Sequence, residues 1–236
     1  MRTRVATVTN LTAVFFALDL APLPLARLWE TLSADERARA RRYRFALHRD
    51  RFIAARGMVR RLLAQRLSIP AAAMRFVYGR SGKPALAPEQ NTAIAFNLSH
   101  SAELGVCVFG AVAALGVDVE AMRDEPGARA AVWRCLDPQE RAAVCALAPE
   151  RQLAALYGFW TCKEAVMKAT GRGFGLDPLQ IGVVAPDAPR PRLSRLEDAP
   201  ALWRLRRLTP PRPGFAAVVA VRRPFAGTIH SCWVDP

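Results

Sequence analysis

Two acidic residues share one face of a short strand-like segment, Leu115-Gly-Val-Asp118-Val-Glu120, in which apolar residues alternate with other types. Because successive side chains of a strand point to opposite faces, Asp118 and Glu120 are expected to project side by side. Carboxylate oxygens in this arrangement suit Mg²⁺, whose remaining positions are filled by water and substrate phosphate. The segment therefore indicates a magnesium site. The alternative is a pair of exposed acids at the end of a strand.

A third acidic residue interrupts the apolar face of a helix predicted to begin at about Glu150. The apolar stripe of this helix reaches Trp160, and further steps of four residues lead to Glu164 and then Lys168. Charged groups in the register of a buried face are costly unless they meet a metal, a ligand or each other. Glu164 could thus complete the metal site and Lys168 could bind phosphate. The alternative is an exposed helix pair worth roughly a few tenths of a kcal/mol.

Further polar residues follow the strand predicted to end at Phe96, in the sequence Asn97-Leu-Ser-His100-Ser. Such strand exits often carry ligand groups, although a single histidine is more often structural than catalytic. The serines lack the G-x-S-x-G motif of a hydrolase, and the sequence contains no P-loop. Gly171-Arg-Gly-Phe-Gly175 follows a helix, whereas a dinucleotide-binding fingerprint precedes one. Covalent nucleophilic catalysis and a Rossmann fold are therefore disfavoured.

The positive charge of the chain comes almost wholly from arginine. Of 34 basic residues only Lys83, Lys163 and Lys168 are lysine, and with 20 acidic residues the formal net charge is +14. Residues 1–115 carry 17 basic and 7 acidic side chains (+10), whereas residues 116–236 carry 17 and 13 (+4). This asymmetry favours a polyanionic ligand or an acidic partner at the N-terminal half.

The composition is that of a globular chain, with 52% apolar residues, and it excludes a disordered or collagen-like protein. The five cysteines form no C-x-x-C pair, which argues against a disulfide framework or a structural zinc site and favours a reducing cytoplasm. No apolar stretch approaches the roughly 20 residues of a membrane helix. The apolar stretch at residues 11–20 resembles a signal sequence, but its shortness and Asp19 favour a buried first strand.

Three helical regions are each marked by a signal at one end. A capping box at Ser33-Ala-Asp-Glu36 opens an arginine-rich helical region that runs, with a break near His48, to Pro70. The sequence Asp137-Pro-Gln-Glu140 supplies a cap, a proline and a glutamate for another helix start. Gly171 is predicted to end the helix that carries Glu164 as a left-handed cap.

Short apolar runs punctuated by turns predict strands between the first and second helical regions and after the third. These runs and segregated helices, in two parts of comparable size, predict an α+β fold with one half at residues 1–115 and the other at residues 116–236. The predicted strands lie at residues 76–78, 93–96, 106–109, 115–120, 181–184, 202–205 and 215–221.

Four motifs of the chain, taken together with their order and spacing, resemble those of one enzyme family. Gly-Val-Asp118-Val-Glu120 and the later Phe-Trp160-Thr-Cys-Lys163-Glu164-Ala-Val-Met-Lys168-Ala-Thr-Gly-Arg-Gly resemble the paired signature of the 4′-phosphopantetheinyl transferase superfamily. Gly82-Lys83-Pro84 and Asn97-Leu-Ser-His100-Ser resemble the surfactin-synthetase-activating type. The resemblance covers about residues 33–176.

The resemblance implies an enzyme that transfers the phosphopantetheine arm of coenzyme A to a serine of an apo carrier protein. The second product is adenosine 3′,5′-bisphosphate. The implied fold is a monomeric pseudo-dimer of two similar α+β halves with the coenzyme A cleft between them. The implied partner is an acidic acyl or peptidyl carrier protein, with neither nucleic acid nor membrane. The sequence leaves open which carrier is served and whether Mg²⁺ or Mn²⁺ is used.

The resemblance also implies roles for individual residues. Either Glu164 or a water on the metal would be the base for the carrier serine, and Lys168 would neutralise or protonate the leaving group. The 3′-phosphate would meet Arg39, although Arg41 or Arg51 could take this role in so arginine-rich a helix. The remaining assignments are Asp118, Glu120 and Glu164 for the metal, Lys163 and Lys168 for phosphate oxygens, Lys83 and Pro84 for adenosine, and Asn97, Ser99 and His100 for adenine and phosphate.

Two other functions are compatible with parts of the sequence. A magnesium-dependent nuclease also uses acids on a strand and a nearby lysine, but the D-x-E and K-E-x-x-x-K order differs from the spacing of nucleases. A non-enzymatic, arginine-rich nucleic-acid-binding protein is supported only by the sequence pI of about 11.0. All three lysines fall within the motifs of the transferase, which favours that function.

Overall fold

The computed structural model describes residues 10–19, 21–197 and 199–236. Helices and strands are both abundant in these residues, so the predicted α+β class is confirmed. The helices are α1 (Pro22–Thr31), α2 (Ala34–Arg41), α3 (Ala46–Leu67), α4 (Pro126–Arg134), α5 (Pro138–Cys145) and α6 (Pro149–Thr170). The strands are β1 (Leu11–Ala17), β2 (Phe76–Tyr78), β3 (Pro84–Leu86), β4 (Ala95–Ser101), β5 (Leu104–Gly110), β6 (Leu115–Ala121), β7 (Gly182–Val184), β8 (Arg192–Arg195), β9 (Trp203–Leu208), β10 (Phe215–Arg222) and β11 (Ile229–Trp233).

Each half of the chain forms a mainly antiparallel sheet beside a 22-residue helix. The first sheet has the order β11-β1-β5-β4 and the second has the order β6-β10-β9, while β2-β3 and β7-β8 are separate hairpins. One face of the first sheet packs with α1 and α3, and one face of the second packs with α6. The opposite faces of both sheets share a third apolar cluster, which joins the halves.

The last strand of the chain returns to the first half. Residues of β11 pair in parallel with β1, in the register Leu11 with Ile229 and Phe15 with Trp233. The chain therefore contributes its C-terminal segment to the sheet of the N-terminal half. The division at residues 115 and 116 stays a prediction, and residues 1–9 lie outside the described residues.

The polar edges of two strands hold the sheets together. Strands β4 and β6 are the edge strands of their sheets and lie side by side in the same direction. Alternate side chains of β4 accept hydrogen bonds from alternate main-chain amides of β6, so side chains replace the usual main-chain ladder. The three bonds run from Val117 N to Asn97 Oδ1 (2.8 Å), from Val119 N to Ser99 Oγ (3.2 Å) and from Ala121 N to Ser101 Oγ (3.1 Å).

Local signals in the sequence correspond to several element ends. Capping boxes are present at Ser33 and Asp137, and Gly171 ends α6 with a φ of 71°. The helical break lies at residues 42–45, ahead of the predicted position near His48. Residues 11–17 of the apolar stretch form β1, and Leu20 lies outside the described residues. Among the described helices, none is both long enough and apolar enough to cross a membrane.

Candidate active site

Helix α6 lies directly against β6, and a glycine makes this approach possible. The position of Gly116 has no room for a side chain, because a Cβ atom there would overlap main-chain atoms of Ala165 and Ala169 in α6. The strand and the helix therefore meet at main-chain distance. This contact brings the acidic face of β6 against the charged positions of α6.

The ammonium group of Lys168 links the charged residues of these two elements. Its Nζ donates hydrogen bonds to Asp118 Oδ1 at 2.7 Å and to Ser99 Oγ at 2.9 Å. The same Nζ lies 3.9 Å from Glu164 Oε2, and Ser99 Oγ donates to Asp118 Oδ1 at 2.9 Å. Asp118 is 1% exposed and Glu164 is 9% exposed. Asp118, Glu164 and Lys168 thus form one charge cluster between α6, β6 and β4.

Burial and mutual repulsion change the protonation of this cluster. Burial, followed by the charge of Asp118, raises the pKa of Glu164 to about 7 and also raises the pKa of Glu120. Burial alone would lower the pKa of Lys168, but Asp118 and Glu164 outweigh it and raise that pKa. Lys168 therefore stays charged at neutral pH, whereas Glu164 can exchange a proton there.

Glu120 lies on the same face of β6, towards the end of the strand. Ser101 Oγ donates a hydrogen bond to Glu120 Oε2 at 2.6 Å, and Trp160 Nε1 donates to Glu120 Oε1 at 3.4 Å. These donors come from β4 and from α6, so Glu120 is held between the same elements as the charge cluster. Its carboxylate keeps one face of the site acidic.

The donor atoms suit a hard divalent cation. Asp118 Oδ2 is buried and accepts no hydrogen bond from any described residue, and three carboxylates share a single neighbouring ammonium group. An unsatisfied buried carboxylate oxygen beside further carboxylates is the donor set that Mg²⁺ prefers. In the described part of the chain, however, no three acidic, histidine or cysteine side chains are gathered closely enough to hold a metal ion as they stand.

The first hairpin of the chain crosses to the end of α6. Lys83 Nζ donates to the carbonyl oxygens of Leu115 at 2.6 Å and of Lys168 at 2.7 Å. Ser81 Oγ donates to the carbonyl oxygen of Gly171. These bonds tie the hairpin to the start of β6 and to the C-terminal end of α6, where the carbonyl of Lys168 also accepts from Gly171 N. Burial lowers the pKa of Lys83 to about 8.

A cavity of about 760 Å³ lies between the halves at this point. Five of the residues predicted to bind ligands line it together, from the hairpin, from β4 and from α6. Glu164 is its single acidic lining residue, and Lys83 and Lys168 are flanked by two exposed arginines. The lining residues are Arg80, Ser81, Gly82, Lys83, Pro84, Asn97, Leu98, Glu164, Met167, Lys168 and Gly171 to Gly175.

A smaller cavity of about 280 Å³ lies further along β4. His100 lines it together with Arg51 and Arg123. Loss of solvation, with the charges of Lys168 and Arg51, lowers the pKa of His100. Of the other two candidate arginines, Arg39 lies 5.2 Å from the ring centre of Phe52, which also lines this cavity, and Arg41 lies 5.5 Å from the ring centre of Trp29.

The structure places Lys163 apart from both cavities, contrary to the expected phosphate contact. Its side chain is fully buried, with Nζ 2.6 Å from Glu140 Oε2. The same Nζ donates to the carbonyl oxygens of Cys135 and Pro178, each at 2.9 Å. Lys163 neighbours Glu164 in sequence, but a helix turns consecutive side chains about 100° apart, so it enters the core on the other side of α6. We therefore correct its role to a structural one.

Sequence reasoning missed several residues of the site. Ser81 and Phe174 lie in loops, where no periodicity marks them, and Arg123 lies in a charged stretch after β6. The partner of Lys163 is also not evident from the sequence, because Glu140 already fits the start of a helix as the glutamate after Asp137 and Pro138. Glu140 does complete that box, through the amide of Asp137, while its Oε1 accepts from Val183 N at 2.9 Å. One side chain thus serves both purposes.

Two family models match consecutive parts of the chain. The model described as 4′-phosphopantetheinyl transferase, N-terminal, matches residues 23–111. The model described as 4′-phosphopantetheinyl transferase superfamily matches residues 114–220. The boundary between the matches falls just ahead of β6, the strand that carries the paired acids.

Curated proteins give a concordant result. The chain is 36% identical over 203 residues to the 4′-phosphopantetheinyl transferase HetI of Nostoc sp.. The aligned region covers 85% of this chain and 83% of the relative. The chain is 31% identical to the 4′-phosphopantetheinyl transferase psf-1 of Bacillus pumilus, over 67% of this chain and 69% of the relative. It is 27% identical to a 4′-phosphopantetheinyl transferase of Bacillus subtilis, over 76% and 82% of the two chains.

Proposed function

Because the chain belongs to the 4′-phosphopantetheinyl transferase superfamily, we propose that it transfers the phosphopantetheine arm of coenzyme A to a serine of an apo carrier protein. The chain is an enzyme of the transferase class with coenzyme A as its co-substrate. The comparisons support neither the nuclease nor the nucleic-acid-binding alternative. The observation that carries the proposal is the cluster of Asp118, Glu164 and Lys168 at the cavity between the halves.

The proposed reaction replaces a phosphoanhydride bond of coenzyme A by a phosphoester bond to the carrier serine. The serine Oγ of the carrier forms a bond to the phosphorus that bears the pantetheine arm, and the bond from this phosphorus to the bridging oxygen of the diphosphate breaks. Adenosine 3′,5′-bisphosphate leaves with that oxygen. The serine proton passes to Glu164, the acidic residue that lines the cavity between the halves.

Lys168 is proposed to stabilise the leaving group. Its ammonium stays protonated through its pairing with Asp118 and reaches the cavity with a side chain that is 27% exposed. Charge develops on the departing bisphosphate as the bond breaks, and a fixed ammonium stabilises that charge more in a poorly solvated site than in water. Ser99 holds the ammonium in place through its hydroxyl and thereby positions Lys168.

Asp118, Glu120 and Glu164 would hold Mg²⁺, and Mn²⁺ suits the same oxygen donors. When bound, the cation would withdraw charge from the diphosphate and so favour attack by a hydroxyl. The unsatisfied Asp118 Oδ2 supports this assignment. Ser101 and Trp160 hold the carboxylate of Glu120 in this structure. This carboxylate would therefore have to turn towards the cation to bind it.

Coenzyme A is proposed to extend across both cavities. The larger cavity would take adenosine beside Lys83, Pro84 and Asn97. Of the three candidate arginines, Arg51 is the one beside His100, which supports it as the ligand of the 3′-phosphate. The strongly basic N-terminal half supports an acidic carrier protein as the partner.

The proposal is tested by incubating the protein with coenzyme A, Mg²⁺ and an apo carrier and measuring adenosine 3′,5′-bisphosphate by chromatography. The expected result is one bisphosphate released for each carrier molecule converted. A panel of acyl and peptidyl carriers covers the pathways that the chain could serve. No release with any carrier of the panel would overturn the proposal.

A further inference from the structure

Phe174 is the most exposed large apolar side chain in the described part of the chain, at 79% exposure. It lies in a short 3₁₀ turn between Gly173 and Gly175, directly after α6. A phenyl ring in water is unfavourable, and its removal would leave no hole in the core. Phe174 also lines the rim of the cavity of about 760 Å³, so its exposed ring is available to a ligand that fills that cavity.

The turn that carries Phe174 is fixed from both halves of the fold. Gly173 has a φ of 52°, and a Cβ atom there would lie 3.2 Å from Cβ of Ser81. Ser81 also donates its hydroxyl hydrogen bond to Gly171, and Leu176 is fully buried on the other side of the turn. The ring is thus presented by an anchored turn beside the hairpin, although the ring itself is free of contacts that would bury it.

The chemistry of the rim favours a nucleotide over an apolar partner. Phe174 lines the cavity of about 760 Å³ together with four cationic side chains, namely Arg80, Lys83, Lys168 and Arg172, and a single acid. Phosphate groups match the cations, and a flat aromatic base matches the face of a phenyl ring. An acidic carrier could also meet the exposed arginines of the rim, Arg80 and Arg172, so the KM for the carrier distinguishes the two ligands.

We propose that Phe174 stacks on the adenine base of coenzyme A and thereby sets how tightly the nucleotide end of this substrate is held. This inference rests on the proposed function, because it takes coenzyme A as the ligand. Phe174 is assigned to binding alone, since the reacting groups lie at Glu164 and Lys168. The stack would cover the ring and close one side of the cavity over the base.

The experiment compares Phe174→Ala and Phe174→Trp with the wild type. Binding of adenosine 3′,5′-bisphosphate is measured by calorimetry, and KM and kcat are measured separately for coenzyme A and for the carrier. Base stacking on an aromatic side chain predicts about tenfold weaker bisphosphate binding and about tenfold higher KM for coenzyme A in Phe174→Ala. Phe174→Trp should retain both values, and kcat and the carrier KM should stay unchanged.

Leu179→Ala is the matched control, because Leu179 is an exposed apolar residue at 43% exposure outside the cavity. It should leave every parameter unchanged. Unchanged bisphosphate binding in Phe174→Ala would overturn the inference, and a rise in the carrier KM alone would assign Phe174 to carrier docking instead. Failure of the wild type to bind bisphosphate and to modify any carrier would count against the proposed function, which separates the two outcomes.

Discussion

The ammonium group of Lys83 donates a hydrogen bond of 2.7 Å to the main-chain carbonyl of Lys168, from one half of the fold to the other. The second bond of Lys83, to the carbonyl of Leu115, reaches the start of β6. One side chain therefore ties the hairpin to both elements that carry the charge cluster. Lys83 would position Lys168 as well as line the coenzyme A cavity.

Replacing Lys83 by methionine should destabilise the protein, because the partly buried carbonyls of Leu115 and Lys168 each lose a hydrogen bond. A loss of about 1 to 3 kcal/mol in the free energy of unfolding is expected at pH 7. Urea titration monitored by circular dichroism measures it. Arg80→Met, in the same loop and exposed, is the matched control and should lose little. Equal stability of Lys83→Met and the wild type would show that these bonds do not join the halves.

The same variant should reveal the titration of Lys83. Burial lowers its pKa from 10.5 to about 8 in the folded protein, so between these pH values the unfolded chain binds a proton that the folded chain has released. The free energy of unfolding therefore rises with pH across this window through Lys83. The difference between wild type and Lys83→Met should be constant below about pH 7 and should widen from pH 8 to pH 10. Parallel curves would contradict the lowered pKa.

The two lysines of α6 should respond differently to substitution. Lys163→Met leaves Glu140 as an unpaired buried carboxylate, so about 3 to 5 kcal/mol of stability should be lost. Lys168→Met also removes the ammonium partner of the buried Asp118 and so should cost stability too, but here kcat of the folded protein should fall by about 100-fold or more. Thermal melts and steady-state rates on the folded protein separate these effects. A large kcat defect in folded Lys163→Met, with KM for coenzyme A also raised, would restore Lys163 to the site.

Gly116→Ala should separate β6 from α6. The added methyl group meets main-chain atoms that cannot turn away as a side chain would, so about 1 to 3 kcal/mol of stability and most of the activity should be lost. The melting temperature and the rate of transfer measure these effects. Gly127→Ala is the matched control, because a Cβ atom at Gly127 meets nothing within 4 Å. Full activity in Gly116→Ala would mean that the close approach is not needed.

Removal of divalent cations should stop the reaction reversibly. With a chelator in excess, carrier modification should cease, and added Mg²⁺ or Mn²⁺ should restore it. Calorimetry with Mg²⁺ alone should show binding to the wild type and none to Asp118→Asn, because this change removes a carboxylate oxygen donor. Transfer at the full rate in the presence of chelator would contradict a role for the cation.

The sequence predicted those parts of the fold that depend on local physical rules. The alternation in β6 places Leu115, Val117 and Val119 in the apolar cluster between the sheets, with the acids on the opposite face. The caps at Ser33, Asp137 and Gly171 were predicted because capping needs only a few neighbouring residues. Helix α4 and strand β11 were not predicted, since neither has a clear period and β11 is stabilised by pairing with β1 far away in the chain.

The proximity of the strand acids to the charged residues of α6 could be expected from the sequence, whereas the individual side-chain pairings could not. Glu164 and Lys168 interrupt an apolar stripe, which is a signal that a single helix can carry. By contrast, the pairing of Lys163 with Glu140 and the hydrogen bonds of Asn97 and Ser99 to β6 join residues that are distant in sequence. Such pairings are decided by tertiary packing, so neither the structural role of Lys163 nor the joining of the sheets through β4 followed from spacing.

The most direct measurement of the central claim is the intact mass of an apo carrier protein after incubation with this protein, coenzyme A and Mg²⁺. The carrier should gain the mass of one phosphopantetheine group, and a carrier with its acceptor serine replaced by alanine should gain nothing. Glu164→Gln, which keeps the shape of the side chain but cannot accept the proton, should leave the carrier unmodified over the same time. An unchanged carrier mass with the wild type across the panel would contradict the proposed activity. Full modification by Glu164→Gln would contradict Glu164 as the base.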